Sequence, residues 1–148
     1  MDTLTRCSPH LVRLLAVATV WLVGGIAVAG DTELARGEMI YVKFCALCHG
    51  EQLQGQPDWR HRRVDGKLPA PPHDATGHTW HHPDEVLFAI TKNGMVPPHA
   101  PDNYSSDMPA WGAILSDADI WAVLAYIKSR WPAETQKIQR EIDARFRR

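Results

Sequence analysis

One run of five residues constrains this 148-residue chain more than any other: Cys45-Ala46-Leu47-Cys48-His49. Cysteines three positions apart share a face of a helical turn, so both thiols reach the same object. Alone, the pair fits a small disulfide, a redox dithiol, half of a metal site or two attachment points. The histidine that follows decides between them, because C-x-x-C-H is the attachment signature of c-type haem. Both thiols add to vinyl groups along one porphyrin edge, and the adjacent imidazole is presented to the iron. Cys45 and Cys48 are therefore the expected covalent anchors of one haem c, and His49 its proximal iron ligand. A thioredoxin-like dithiol would need a βαβ framework, and strand signals around the motif are almost absent. A zinc site would need two more ligands at similar spacing, and no second C-x-x-C exists.

The third cysteine, Cys7, lies in a segment with the grammar of an export signal. Arg6 and Arg13 precede the apolar run LLAVATVWLVGGIAVA over residues 14–29, which ends in the small-x-small pattern Ala27-Val28-Ala29. Residues 1–29 read as a signal peptide, which implies a periplasmic protein, and haem is attached to such motifs outside the cytoplasm. The competing reading is an uncleaved inner-membrane anchor, since the run with Leu11 and Val12 approaches the ~20 residues that span a bilayer. Gly24-Gly25 and the A-x-A ending favour cleavage, after which no membrane span is expected. Cleavage would leave 14 basic and 16 acidic residues. That balance excludes tracking of a phosphate backbone, and the short Trp59-Arg60-His61-Arg62-Arg63 stretch does not reverse it. No nucleic-acid partner is expected.

Haem iron closed by a proximal histidine takes a thioether as its sixth ligand when the task is electron transfer, because sulfur favours the ferrous state. Met1 falls in the signal and Met39 precedes the attachment motif. Met108 sits in Ser106-Asp107-Met108-Pro109-Ala110-Trp111, where proline stiffens the loop and removes an amide that would need a partner. It is the expected axial ligand, and Met95, just after Gly94, is its rival.

Periodicity places a helix over 33–47, with Leu34, Tyr41, Phe44 and the cysteines toward the haem. Residues 50–83 hold five prolines and four glycines and read as ligand-wrapping loop. A helix follows over 84–93, with Pro83 and Asp84 as start and Gly94 as stop. Residues 94–115 form a second loop that delivers Met108. Ser116 caps the next helix, which runs to Trp131-Pro132. Residues 133–148 form a charged helical extension with a stripe of Ile138, Ile142 and Phe146, either resting on the body or docking an acidic partner or membrane surface. The domain plan is thus 1–29 signal, 30–132 haem domain and 133–148 extension.

Over roughly residues 33–131 the chain resembles class I cytochromes c. Gly37-x-x-x-Tyr41-x-x-x-Cys45 matches the family's first-helix ladder, Asp119 to Lys128 matches its final helix, and Met108-Pro109 falls in the expected place. Pro71-Pro72-His73 stands where the family has P-x-L, with histidine for leucine. The resemblance implies an all-α cytochrome c fold, three or more helices and long loops around the haem. It also implies that the Pro71 carbonyl, with Pro72 as fallback, accepts the Nδ1 hydrogen of His49. Trp80 and Arg60 resemble residues that hydrogen-bond haem propionates.

The other histidines, among them His78, His81 and His82, suggest surface and propionate-side hydrogen bonding, or a second metal. The expected function is single-electron transfer between redox partner proteins such as an oxidase, reductase or dehydrogenase, without catalysis. Docking is expected near Lys43 and Met95-Val96-Pro97-Pro98. The alternative is a haem peroxidase or gas-binding protein with a displaceable sixth ligand.

Overall fold

The computed structural model describes residues 27–148. The export segment expected over 1–29, with Cys7, lies outside the described residues except for positions 27–29, which belong to α1. In chain order the elements are α1 (Ala27–Ile40), a π-helical turn (Tyr41–Cys45), α2 (Ala46–His49), a 3-10 turn (Thr79–His81), α3 (Asp84–Asn93), α4 (Asp117–Ser129) and α5 (Ala133–Phe146). No strand occurs among the described residues. None of their helices is long and apolar enough to cross a membrane.

The core is organised by α4, which has no glycine or proline and buries Ile120, Ala122, Val123, Leu124, Tyr126 and Ile127. Its principal partner is α1. The two helices approach closely at Gly37, where an added Cβ would lie 2.1 Å from the Ala122 carbonyl oxygen. One turn on, the rings of Tyr41 and Tyr126 meet at 5.5 Å. Tyr41 is fully buried and its hydroxyl donates to the Gly50 carbonyl at 2.8 Å. The crossing therefore also fixes the residue that ends the C-x-x-C-H turn.

Two expectations about the first helix are corrected. Helix begins well before residue 33 and continues to His49, and it is not uniformly α-helical. At Tyr41–Cys45 it widens, with the Ala46 amide reaching back to the Tyr41 carbonyl. A π turn carries one residue more than the ladder requires, so it rotates Cys45, Cys48 and His49 relative to the face that α1 packs on α4. Leu34, expected on the haem side, is 37% exposed.

Both remaining core helices start where expected, for different reasons. Ser116 caps α4 through a complete capping box with Asp119: its hydroxyl accepts the Asp119 amide at 3.2 Å and its own amide donates to the Asp119 carboxylate at 3.1 Å. The N-cap of α3 is Pro83, which offers no side-chain acceptor. The missing acceptor arrives from α5, where the Asp143 carboxylate takes the Asp84 amide at 3.0 Å.

That contact revises the reading of α5. Of the apolar stripe, Ile138 and Ile142 are partly buried and Phe146 is 54% exposed, while the fully buried positions of α5 are Gln139 and Asp143. Gln139 donates to the Asp84 carboxylate at 2.7 Å, and Lys128 of α4 donates to the same group at 2.6 Å. The extension thus docks through a polar seam centred on Asp84, which converts the open end of α3 into a satisfied one.

Gly37→Ala should lower stability by about 1–3 kcal/mol, because a backbone carbonyl cannot yield as a side chain can; urea unfolding measures it. Ser116, foremost, and Arg36 hold the Asp119 carboxyl below its ordinary value. Its stabilising contribution is complete above the ordinary carboxylate pKa and is lost as pH falls through the lowered folded value. Asp119→Asn should flatten that acid limb in unfolding midpoints followed from neutral pH downward.

Candidate haem-binding site

The site is assembled from the end of the first helix, the loop over residues 50–83 and the loop over residues 94–115. Cys45 is partly buried, Cys48 is exposed, and neither is in a disulfide. Burial, with the Cys48 thiol adding, pushes Cys45 up to about 11. The thioredoxin-like alternative loses its βαβ framework, since no strand occurs among the described residues.

His49 is 7% exposed, and its Nδ1 lies 2.8 Å from the Pro71 carbonyl oxygen. A carbonyl can only accept, so Nδ1 carries the proton and the Nε2 lone pair is left for a metal. Burial pushes the imidazole below its ordinary value despite the opposing effect of that hydrogen bond, which keeps the ring neutral. These residues fit a haem: two thiols on one turn and a neutral imidazole with a fixed tautomer. Its contact with Pro71 is the one the resemblance implies.

Sequence reasoning assigned His73 no role beyond replacing a leucine, yet it forms the wall behind His49. The two rings stack with centroids 3.9 Å apart and an interplanar angle of 20°. Thr79 donates its hydroxyl to the Pro72 carbonyl at 3.5 Å and therefore accepts from His73 Nδ1 at 2.8 Å. Trp131, beyond the end of α4, donates its indole N–H to the His73 carbonyl at 2.7 Å. Gly77 closes the wall, since a Cβ there would stand 2.0 Å from the Pro72 carbonyl oxygen. The signal for Trp131 was present in its place at a helix end, but its partner is 58 positions away.

Met108 is partly buried, and its amide donates to the Ser106 hydroxyl at 3.1 Å. Behind it, the amides of Trp111 and Gly112 donate to the Thr91 and Lys92 carbonyls at 3.0 and 2.9 Å, filling acceptors at the open end of α3. The Trp111 ring meets Phe44, the neighbour of Cys45, edge-on at 5.4 Å. Ahead of Met108, Asp107 forms ion pairs with Lys67 and Arg63. Lys67 foremost, then Arg63, holds its carboxyl below the ordinary range.

The remaining candidates are engaged elsewhere. Trp80 packs partly buried on the core and donates its indole N–H to the Ala75 carbonyl at 3.3 Å. Arg60 lies over the Trp59 ring at 3.9 Å. His78 stacks on Trp59 at 5.4 Å and meets His82 edge-on at 5.6 Å, while His81 lies on Trp80 at 3.7 Å. No group of three His, Cys, Asp or Glu residues among those described is disposed to hold a metal ion. Met95 is partly buried beside exposed Val96.

The profile of the family described as cytochrome c oxidase, cbb3-type, subunit III matches residues 32–127. The chain belongs to this family of c-type cytochrome domains. Its cofactor is covalently bound haem c, its chemistry is haem-based electron transfer with redox partner proteins, and its fold is the all-α cytochrome c fold. The cytochrome domain is also similar to a thiosulfate dehydrogenase of Stutzerimonas stutzeri (strain A1501), 27% identical over 139 residues. The match covers 81% of the chain and 39% of that relative, so the chain spans well under half of the curated protein's length. No solved structure matches it.

Removing the Tyr41 hydroxyl leaves the Gly50 carbonyl, at the end of the haem-attachment turn, with the Leu53 amide at 3.1 Å as its remaining donor. Tyr41→Phe should therefore cost about 0.5–1.5 kcal/mol, the net worth of one hydrogen bond, seen as a lower thermal midpoint with the haem still attached.

Proposed function

We propose that this chain is an exported, periplasmic electron carrier whose single haem c, attached through Cys45 and Cys48, is ligated by His49 and Met108. The observation that carries this reading is the His49–Pro71 hydrogen bond of 2.8 Å, which commits Nδ1 and leaves Nε2 for iron. A second support is the Met108 loop, anchored on both sides of the methionine. When bound, the haem supplies a one-electron Fe(III)/Fe(II) couple. The chain's own residues hold the imidazole orientation through Pro71 and His73, exclude water from the His49 side by burial, and fix the loop that carries the thioether. Iron closed on both faces has no position for a substrate, so the protein relays electrons between an oxidase, reductase or dehydrogenase and its counterpart.

The name of the thiosulfate dehydrogenase relative favours a second reading, in which the domain serves an enzyme of sulfur-oxyanion oxidation. Rapid reduction of the ferric protein by thiosulfate alone would support that reading. No reduction without a partner protein agrees with the carrier.

Met108→Ala should abolish the weak charge-transfer band that a sulfur–ferric-iron bond gives at the red edge of the visible spectrum, and should open the iron to cyanide. Met95→Ala should leave the band intact. A band that survives Met108→Ala and disappears in Met95→Ala would transfer the ligand to Met95.

A further inference from the structure

We propose that Asp107, held by Arg63 and Lys67, is the positioning residue that keeps the Met108 loop closed over the iron and sets how readily a foreign ligand displaces the thioether. The proposal rests on the assignment of Met108 as sixth ligand and goes beyond it, because ligation by itself does not say what restrains the loop.

The restraint is built in the first loop. The Arg63 amide donates to the Lys67 carbonyl at 2.9 Å and the Gly66 amide to the Arg63 carbonyl at 2.9 Å, closing a tight turn. Gly66 has φ +80° with open space around its missing Cβ, so backbone conformation is what calls for glycine there. Asp65 accepts the Lys67 amide at 3.0 Å and Arg62 donates to the Gly66 carbonyl at 2.6 Å. The turn is thus tied within itself and presents Arg63 and Lys67 side by side.

Both cations converge on one carboxylate, 44 and 40 positions along the chain, and they take different oxygens: Arg63 pairs with Oδ2 and Lys67 with Oδ1. Asp65, 3.3 Å from Arg63, is the other carboxylate at this cluster. Arg62 adds a third link, its guanidinium 5.5 Å from the Tyr104 ring centroid. On the far side of the methionine, Trp111 and Gly112 are bonded to α3. Between the two anchors lie only Met108, Pro109 and Ala110, and proline fixes one of the torsions. A span this short cannot swing away while both anchors hold.

The anchors differ in strength. Trp111 is held by backbone hydrogen bonds and ring packing. Asp107 is held by ion pairs whose side chains are 51%, 41% and 29% exposed for Asp107, Arg63 and Lys67. Exposed pairs are weak and screened by salt, so this is the end that opens first and the one that governs exchange at the iron.

The test uses the full-length haem-loaded ferric protein and stopped-flow cyanide binding. Asp107→Asn should bind cyanide about three- to tenfold faster, the range expected for two exposed ion pairs, while Asp107→Glu should stay near the wild-type rate. Added salt should accelerate the wild type and leave Asp107→Asn unchanged. Adding Arg63→Ala and Lys67→Ala to Asp107→Asn should give no further acceleration, since all three act through one contact. Amide hydrogen exchange should quicken across residues 102–110 and not in α4. Wild-type cyanide kinetics in Asp107→Asn, or acceleration accompanied by faster exchange throughout α4, would overturn the proposal. If the sulfur–iron band persists in Met108→Ala, the ligand assignment fails and takes the proposal with it. If the band is lost there and Asp107→Asn behaves as wild type, only the proposal falls.

Discussion

The approach of α1 to α4 at Gly37 and the Ala122 carbonyl is the contact from which the rest of the molecule takes its geometry. With no side chain at 37, the helices close until backbone meets backbone, and Tyr41 can then fill the space beside Tyr126. Tyr41 passes the constraint to Gly50 and so to the end of the haem-attachment turn. From the other end of α4, Trp131 passes it to the His73 carbonyl, and His73 stacks on His49. The proximal side of the site is thus held from both ends of one helix pair, through buried groups that solvent does not weaken.

In the proposed ligation by His49 and Met108, the two sides of the iron would be built from different materials. Behind His49 stand the stacked His73 ring, two proline carbonyls and Gly77, which permits close approach, all of them at least partly buried. On the Met108 side, α3 supplies open carbonyls for Trp111 and Gly112, and exposed ions hold Asp107. Electron transfer gains when ligands keep their places in both oxidation states, because groups already in position need no rearrangement as charge changes. In the proposed ligation, a rigid imidazole side and a fastened but solvent-facing loop side would meet that need to different degrees, and exchange would begin at the looser one.

Local rules read well where they are local. Glycine after Asn93 stops α3, and a serine with an acid three residues on starts α4; both signals lie within a few residues of what they control. The Cys45–His49 spacing carries its chemistry for the same reason. The π turn at Tyr41–Cys45 left no comparable mark, because one extra residue in a helical turn is chosen by packing on both sides rather than by propensity. The stripe of Ile138, Ile142 and Phe146 in α5 pointed to a helix resting on the body, but not to the groups that hold it there. What α5 buries most fully is Gln139 and Asp143, whose value depends on Asp84 more than fifty positions earlier. Periodicity weighs hydrophobicity within a segment and is blind to a distant helix end that lacks an acceptor.

The sequence by itself determined the cofactor class, through the C-x-x-C-H spacing of Cys45, Cys48 and His49, the helix starts at Asp84 and Asp117, and the loop character of what lies between. Those are consequences of short-range chemistry: thiol spacing, capping and the conformational limits of proline and glycine. Only the tertiary structure decided which face the C-x-x-C-H turn presents, that His73 backs His49, that α5 completes the start of α3, and that Arg63 and Lys67 hold Asp107. Each of these joins groups from separate segments, and their meeting depends on how helices cross and loops close in three dimensions, which no local pattern encodes.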